Sequence, residues 1–385
     1  MKTKDFDFNL PVLQIAQTPA EPRDSSKLMV IDREKHLTQH KTFHDIGNYL
    51  GAGDVVVWNN SKVFKARLRG EIVLDDATDG VVEKIHPTGK ILNVPVQVEI
   101  FLVRPMENPK VWKVLAKPGK KLRLGMKVVF AEDFEGEIIV KEADGTILMQ
   151  FNDDDMVVRA KANKYGHVPT PPYIRNQTAD AGDQTSATTL RLEESYQTVY
   201  ATKEGSVAAP TAGFHFTPKL IEMLKKKGVV FAEVTLHVGL GTFLPVKTDQ
   251  VEKHVMHSEW VELTDKNAAI INEARAEGRR IVAIGTTTVR CLEGVARLFG
   301  EGSGKKDTNK PLLHSYCGDI NIFITPGFSF QVVDALVTNF HLPKSTLLML
   351  VAAFIDDRAY ALQCYQEAID KKYRFYSFGD AMLIK

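Results

Sequence analysis

Between Val63 and Phe151 the apolar residues fall in short, often alternating runs: RLRGEIVL, VPVQVEIFLV, VWKVLA, KLRLGMKVVF, GEIIV and GTILMQF. Gly, Pro, Asn and Asp break them at hairpin spacing. A period of two buries one face of a strand and cannot bury one face of a helix. The stretch is therefore read as an all-β module closing, or nearly closing, into a small barrel, which leaves few exposed strand edges. The flanking texture differs. Leu28–Asp32 and Gly53–Asn59 read as strands around a short helix at Phe43–Leu50. From Gly205 onward helices and strands alternate. Thr217 caps a helix that opens on Pro218 and stops at Gly228, and strand VVFAEVTLHV follows. Asp265 caps AAIINEARAE, RRIVAIG is a strand, and a helix runs from about Thr288 to Phe299. Such alternation predicts an α/β domain with a mainly parallel sheet, built from residues 1–62 and 156–385. The barrel is an insertion at residues 63–155.

Composition narrows the class. Hydrophobic residues at 44% and charged residues at 25% suit a packed protein and exclude global disorder. The net charge is +1, so any polyanion site must come from local clustering. One cluster exists: Lys110, Lys113, Lys117, Lys120, Lys121, Arg123 and Lys127 stand together without an intervening acid. It reads as a patch that tracks phosphates, against the plainer reading of a solvated hairpin face. Three cysteines are too few and too scattered for a disulfide framework or a zinc site. The start MKTKDFDFNL has no signal-peptide pattern, and the apolar run Leu347–Ile355 is too short to span a bilayer. A cytoplasmic protein with reduced thiols, acting as a monomer, is expected.

In open α/β sheets ligands collect beyond the carboxyl ends of the strands. Three strand ends carry polar, Gly-rich sequence: Ser206–Thr217, His237–Phe243 and Gly285–Arg290. The candidate binding residues are Thr211, Gly213, Gly239, Gly241, Thr242, Gly285, Thr286, Thr287, Thr288 and Arg290, through hydroxyls, free amides and a guanidinium. The candidate proton carriers are His215, His237 and His257, the last beside Glu259, because imidazole titrates near working pH. Each is equally readable as a structural imidazole. Asp380 in FGDAML is either a buried acid or a turn residue. His36, His40 and His44 are spaced by four, and His254 and His257 form H-x-x-H, but neither has the partners of a zinc site, so no metal is expected. VTLHVGLGTF imitates a Rossmann turn but is followed by LPVKTDQVEKH rather than a helix, which excludes that site.

The blocks PRDSSKLMV, YQTVYA, GSVAAPTAGFHFTPKL, VTLHVGLGTF, MHSE, AEGRRIVAIGTTTVR, VDALVTNFHLPKSTLLMLVAAF and YRFYSFGDAMLI stand in order along the whole chain. Together they resemble the S-adenosylmethionine:tRNA ribosyltransferase-isomerase family of queuosine biosynthesis. The resemblance implies an α/β domain with an inserted β-barrel. It also implies transfer and isomerisation of the ribosyl part of S-adenosylmethionine, a co-substrate, with no metal. The implied acceptor is 7-aminomethyl-7-deazaguanine at the wobble position of a tRNA anticodon loop, and the products are epoxyqueuosine-tRNA, adenine and methionine. The expected tRNA-binding residues are Lys113, Lys117, Lys121 and Arg123. The chain departs from the family pattern at Asn60-Ser61-Lys62, at Leu244 and at Asp319–Asn321. A diverged paralogue with a changed acceptor, a non-catalytic RNA-binding protein and a methyltransferase are the alternatives.

Overall fold

The structure, a computed structural model, describes residues 1–73, 81–85, 91–143, 145–169, 171, 173–174, 194–239, 246, 248–256, 258–299 and 313–385. The chain divides into two compact units, Met1–Lys62 with Thr170–Lys385, and Val63–Pro169. Four strands open it: Lys27–Asp32 (β1), Leu37–Thr42 (β2), Val55–Asn59 (β3) and Ser61–Val63 (β4). Next come Arg67–Val73 (β5), Val81–Ile85 (β6), Ile91–Pro95 (β7), Gln97–Pro105 (β8) and Val111–Lys117 (β9). Lys127–Ala131 (β10), Phe134–Lys141 (β11) and Ile147–Phe151 (β12) lead to helix Asp155–Tyr165 (α1).

Strands β10-β11-β12-β9-β8-β5 form a closed barrel of antiparallel neighbours. The period-two residues fill it: Leu68 and Ile72, Val98, Ile100 and Leu102, Val114, Val128, Ile138, Ile147 and Met149 are all buried. Gly70 takes its place in this alternation because a Cβ there would stand 2.6 Å from Val128 and 2.9 Å from the Val129 carbonyl. The unit ends at Pro169 rather than Asp155, because α1 belongs to it: the Arg159 guanidinium sits over the rings of Phe64 and Trp112.

The second unit continues with Lys203–Ser206 (β13), helix Pro218–Lys226 (α2), Val230–Leu236 (β14) and Glu259–Leu263 (β15). Asp265–Ala276 (α3), Ile281–Ile284 (β16), Thr286–Phe299 (α4) and Tyr316–Ile320 (β17) follow. Ala335–Asn339 (β18), Thr346–Ile355 (α5), Arg358–Asp370 (α6) and Ala381–Ile384 (β19) complete it. Its sheet has nine strands in the order β17-β15-β14-β3-β16-β18-β19-β1-β2. The sheet is mixed, and the expected parallel pairing holds in part, including β1 beside β19. A central block, β14, β3, β16 and β18, is parallel, but β15, β17 and β2 are antiparallel to their neighbours, and β19 runs against β18.

Alternate strand residues feed opposite faces, as the pleat requires. Val56, Trp58, Val282, Ile284 and Val337 pack with Phe43, Leu220 and Leu224 on one side. Val55, Val57, Ile281, Ala283 and Leu336 pack with residues of α3 to α6 on the other. Three local readings shift. Phe43–Asn48 is a 3-10 turn, Thr264 rather than Asp265 caps α3, and α4 begins at Thr286, two residues before the expected start. Among the described residues no helix is long and apolar enough to cross a membrane.

Gly70→Val should lower the stability of the barrel unit by about 1–3 kcal/mol through overpacking. Urea unfolding followed by circular dichroism measures it, and an unchanged midpoint would show that the barrel interior accommodates the side chain.

Candidate functional site

Parallel pairing places the carboxyl ends of β14, β3, β16 and β18 on one edge of the sheet. At that edge a cavity of about 270 Å3 opens, near the lower end of small-molecule sites, about 300–1,000 Å3. Ala208–Ala212, Gly285–Thr287 and Thr338–Leu342 form much of its wall, and Tyr173, Tyr196, Ser345, Tyr376 and Ser377 complete it with Val238 and Leu347. Tyr376 and Ser377 reach this edge because β19 is antiparallel to β18, so the segment leading into β19 lies beside Asn339, whose partner is Ala381.

The polar atoms of the wall are ordered by a network behind it. Thr211 Oγ1 donates to Asn339 Oδ1 (3.1 Å), which turns Asn339 Nδ2 toward His215 Nε2 (3.2 Å). Nε2 therefore accepts, and the His215 proton sits on Nδ1, which donates to Ser26 Oγ (2.7 Å). His215 is 3% exposed and stacks on Phe43. Burial, with Arg374 and Arg23 nearby, pushes its pKa down to about 3. It does not line the cavity; it holds Asn339, which does. The 3-10 turn Thr211–His215 carries these groups, and Gly213 within it packs so tightly that a Cβ would lie 2.0 Å from Tyr200 Oη.

One polar atom of the wall, Thr287 Oγ1, is buried without a hydrogen-bond partner. Ser377, beside Tyr196, shares a hydrogen bond with the Tyr173 hydroxyl (2.5 Å). Burial raises the Tyr196 pKa well above its usual value, and pushes that of Tyr173 up to about 12, so both are neutral phenols at working pH. Thr287 stands in the first turn of α4, where the amide hydrogens have no acceptor within a helix. On the far side, His341 Nε2 is 3.0 Å from Thr338 Oγ1, and burial pushes the pKa of this imidazole down to about 3. A wall with one neutral imidazole, neutral phenols and the unpaired Thr287 hydroxyl accepts a cation without charge repulsion and offers hydrogen bonds to a polar ligand.

Residues 3–384 match the profile of the family described as queuosine biosynthesis protein. The chain belongs to that family. An S-adenosylmethionine:tRNA ribosyltransferase-isomerase of Thermotoga petrophila is 46% identical over 385 residues, covering 100% of both chains. One of Desulfitobacterium hafniense is 44% identical over 385 residues, again covering 100% of both. A solved crystal structure, S-adenosylmethionine tRNA ribosyltransferase from Thermotoga maritima, aligns with a TM-score of 0.52 and 36% identity over 99% of this chain and 100% of that one.

Of the residues singled out in the sequence, the cavity gathers Thr211, Gly285, Thr286 and Thr287. Thr288 does not reach it, because its hydroxyl donates to the Ile284 carbonyl (2.7 Å). Arg290 and Glu259 form a buried ion pair, with the Gly239 amide donating to Glu259 (3.4 Å). That pair borders a separate small pocket with His254 and Thr346. His237 lies near the Val238 wall but stacks on Trp260, with Nδ1 2.9 Å from Ser61 Oγ. Two of the departures from the family pattern thus act here: Ser61 meets His237, and Asn60 bonds Thr235 (2.7 Å) and Glu233 (3.0 Å). Asp380 binds the amides of Lys27 (3.0 Å) and Arg374 (2.8 Å) and the Arg374 guanidinium, which makes it a turn clamp rather than an acid facing ligand. His257, Gly241, Thr242 and Leu244 lie outside the described residues.

His36 stacks on Tyr360, His40 bonds Tyr373 and Glu367, and His44 faces Asp24, so the three imidazoles have separate partners. Among the described residues no group of three or more His, Cys, Asp or Glu is placed to hold a metal. In the barrel unit Lys117, Lys121 and Arg123 are exposed, whereas Lys113 is paired with Glu142 (2.6 Å). The sequence reading missed Tyr173, Tyr196, Asn339, His341 and Ser377. One signal was available: TNFH at the end of ALVTN is a fourth polar strand end, ahead of a capped helix.

The buried His215 sets a pH dependence. Above about pH 6.5 its imidazole is neutral in folded and unfolded chains alike and contributes no slope. Below that, the unfolded chain binds a proton that the folded chain refuses until pH nears 3, so stability falls by about 1.4 kcal/mol per pH unit. The urea midpoint should fall from pH 6.5 to 4.5, and less steeply in His215→Gln. Equal slopes would mean that His215 is not held neutral.

Proposed function

We propose that this chain transfers and isomerises the ribosyl moiety of S-adenosylmethionine onto 7-aminomethyl-7-deazaguanine at the wobble position of tRNA, leaving epoxyqueuosine and releasing adenine and methionine. One observation carries the reading: three separate family blocks, at 208–212, 285–287 and 338–342, meet around a single cavity. In this reading the cavity holds S-adenosylmethionine. The unpartnered hydroxyl of Thr287 fits a ligand rich in hydrogen-bonding atoms, and the aromatic side fits a nucleoside. The first-turn amides of α4 suit the methionyl carboxylate, since a helix start favours an anion. The absence of a charged imidazole in the wall suits a sulfonium, which acidifies the adjacent C5′ protons and makes their removal accessible to a positioned neutral base.

The tRNA base must leave its stack to reach such a cavity, as single-stranded loops allow. We assign the exposed cations Lys117, Lys121 and Arg123 to phosphates of the anticodon arm, and not Lys113, whose charge is balanced by Glu142. The protein is expected to work as a monomer in the cytoplasm.

Incubation with labelled S-adenosylmethionine and tRNA bearing the aminomethyl base should release adenine and methionine only when that tRNA is present. Formation of S-adenosylhomocysteine would identify a methyltransferase instead, and tRNA binding without product an RNA-binding protein. Reversal of Lys117, Lys121 and Arg123 to Glu should weaken tRNA binding and flatten its dependence on salt, with cofactor binding retained. Unchanged affinity would return this stretch to a solvated face.

A further inference from the structure

Three features lie at or outside the wall already described: the small pocket beside Arg290 and Glu259, the exposed pair Val12 and Leu13, and the histidines at the strand ends. The small pocket, about 20 Å3, has room for little more than a water to meet the unpartnered Arg290 nitrogen. Nothing in the structure covers Val12 and Leu13. The histidines separate cleanly. His215 has both ring nitrogens bonded and stands behind the wall. His237 is bonded to Ser61, with its ring against Trp260. His341 alone among the described histidines lines the cavity.

Its setting is specific. His341 follows β18, the last strand of the parallel block, and its backbone amide donates to Tyr365 Oη (3.1 Å), which fixes the residue at the rim. Nε2 meets Thr338 Oγ1, and Nδ1 has no hydrogen-bond partner among the described residues. We infer that His341 is the base of the ribosyl transfer, with Thr338 as its positioning residue. Thr338 Oγ1 accepts from Nε2–H, which leaves the Nδ1 lone pair for the substrate. The step balances within the site. The C5′–H bond breaks, its electron pair remains on C5′ beside the sulfonium sulfur, and the proton passes to Nδ1. The resulting imidazolium is stabilised by its Nε2–H donating to Thr338. Burial keeps this imidazole neutral and its lone pair available when free, and also weakens it as a base, so the transfer leans on the sulfonium that acidifies the C5′–H bond.

The inference rests on the proposed reaction, and the tests separate the two. If the wild type releases no adenine with the modified tRNA, the reaction itself is wrong. Nitrogen-15 imidazole spectra of the free protein at pH 7 need no turnover. They should show His341 protonated on Nε2 only, and an Nδ1–H tautomer would overturn the assignment. Given an active wild type, His341→Ala should bind S-adenosylmethionine within about threefold by calorimetry and lose about 10²–10⁴ in kcat. Added imidazole should restore part of that loss. His341→Gln, closer in size, covers the case in which the smaller side chain unsettles the rim, and should show the same loss in kcat. Thr338→Val should lower kcat about tenfold and leave affinity for S-adenosylmethionine unchanged. Turnover of either His341 variant within threefold of wild type, or a loss confined to binding and not rescued by imidazole, would overturn the inference.

Discussion

Four parallel strands side by side, β14, β3, β16 and β18, must end on the same edge of their sheet, and the cavity at that edge depends on this constraint. Each parallel neighbour needs a return connection, and those connections carry residues 206–217, 237–239, 285–287 and 338–345 to one rim. Burial on both faces by two apolar clusters holds the strands rigid, so loops of very different sequence keep fixed relations across the cavity. The antiparallel β19 adds its lead-in, Tyr376 and Ser377, from the opposite chain direction. The site is thus a property of strand direction before it is a property of any side chain.

The second theme is neutrality. His215 and His341 are both held uncharged, one to orient an amide and the other facing the cavity, while the tyrosines of the wall are held as phenols. The charges near this rim are paired within the protein: Arg290 with Glu259, and Arg374 with Asp380. A cationic ligand would therefore meet a wall that presents dipoles rather than like charge. The buried thiols of Cys291 and Cys364 are pushed up to about 12 by burial and stay inert.

Much of the architecture was legible because period two and helix punctuation are local signals. The alternation in RLRGEIVL and GTILMQF marks barrel strands, and Thr217-Pro218 with Gly228 marks α2. Strand direction is not local, and that is why the expected parallel pairing holds only in part. The same blindness explains the site. Gly285, Thr286 and Thr287 were found because they follow a parallel strand, whereas Tyr376 and Ser377 precede an antiparallel one. His215 and Asp380 looked chemical by residue type, but burial and full hydrogen bonding make them structural, and only the fold decides that. Asn60 and Ser61, read as departures from a family pattern, turn out to pack against β14 and His237.

The most direct measurement is a crystal structure of the full chain with S-adenosylmethionine bound. The adenosyl and methionyl groups should lie between Ala208–Thr211, Gly285–Thr287 and Thr338–His341, with the ribose toward His341. Ordered density for the cofactor elsewhere on the chain, with that cavity occupied only by solvent, would contradict the central claim that the parallel strand ends form its binding site.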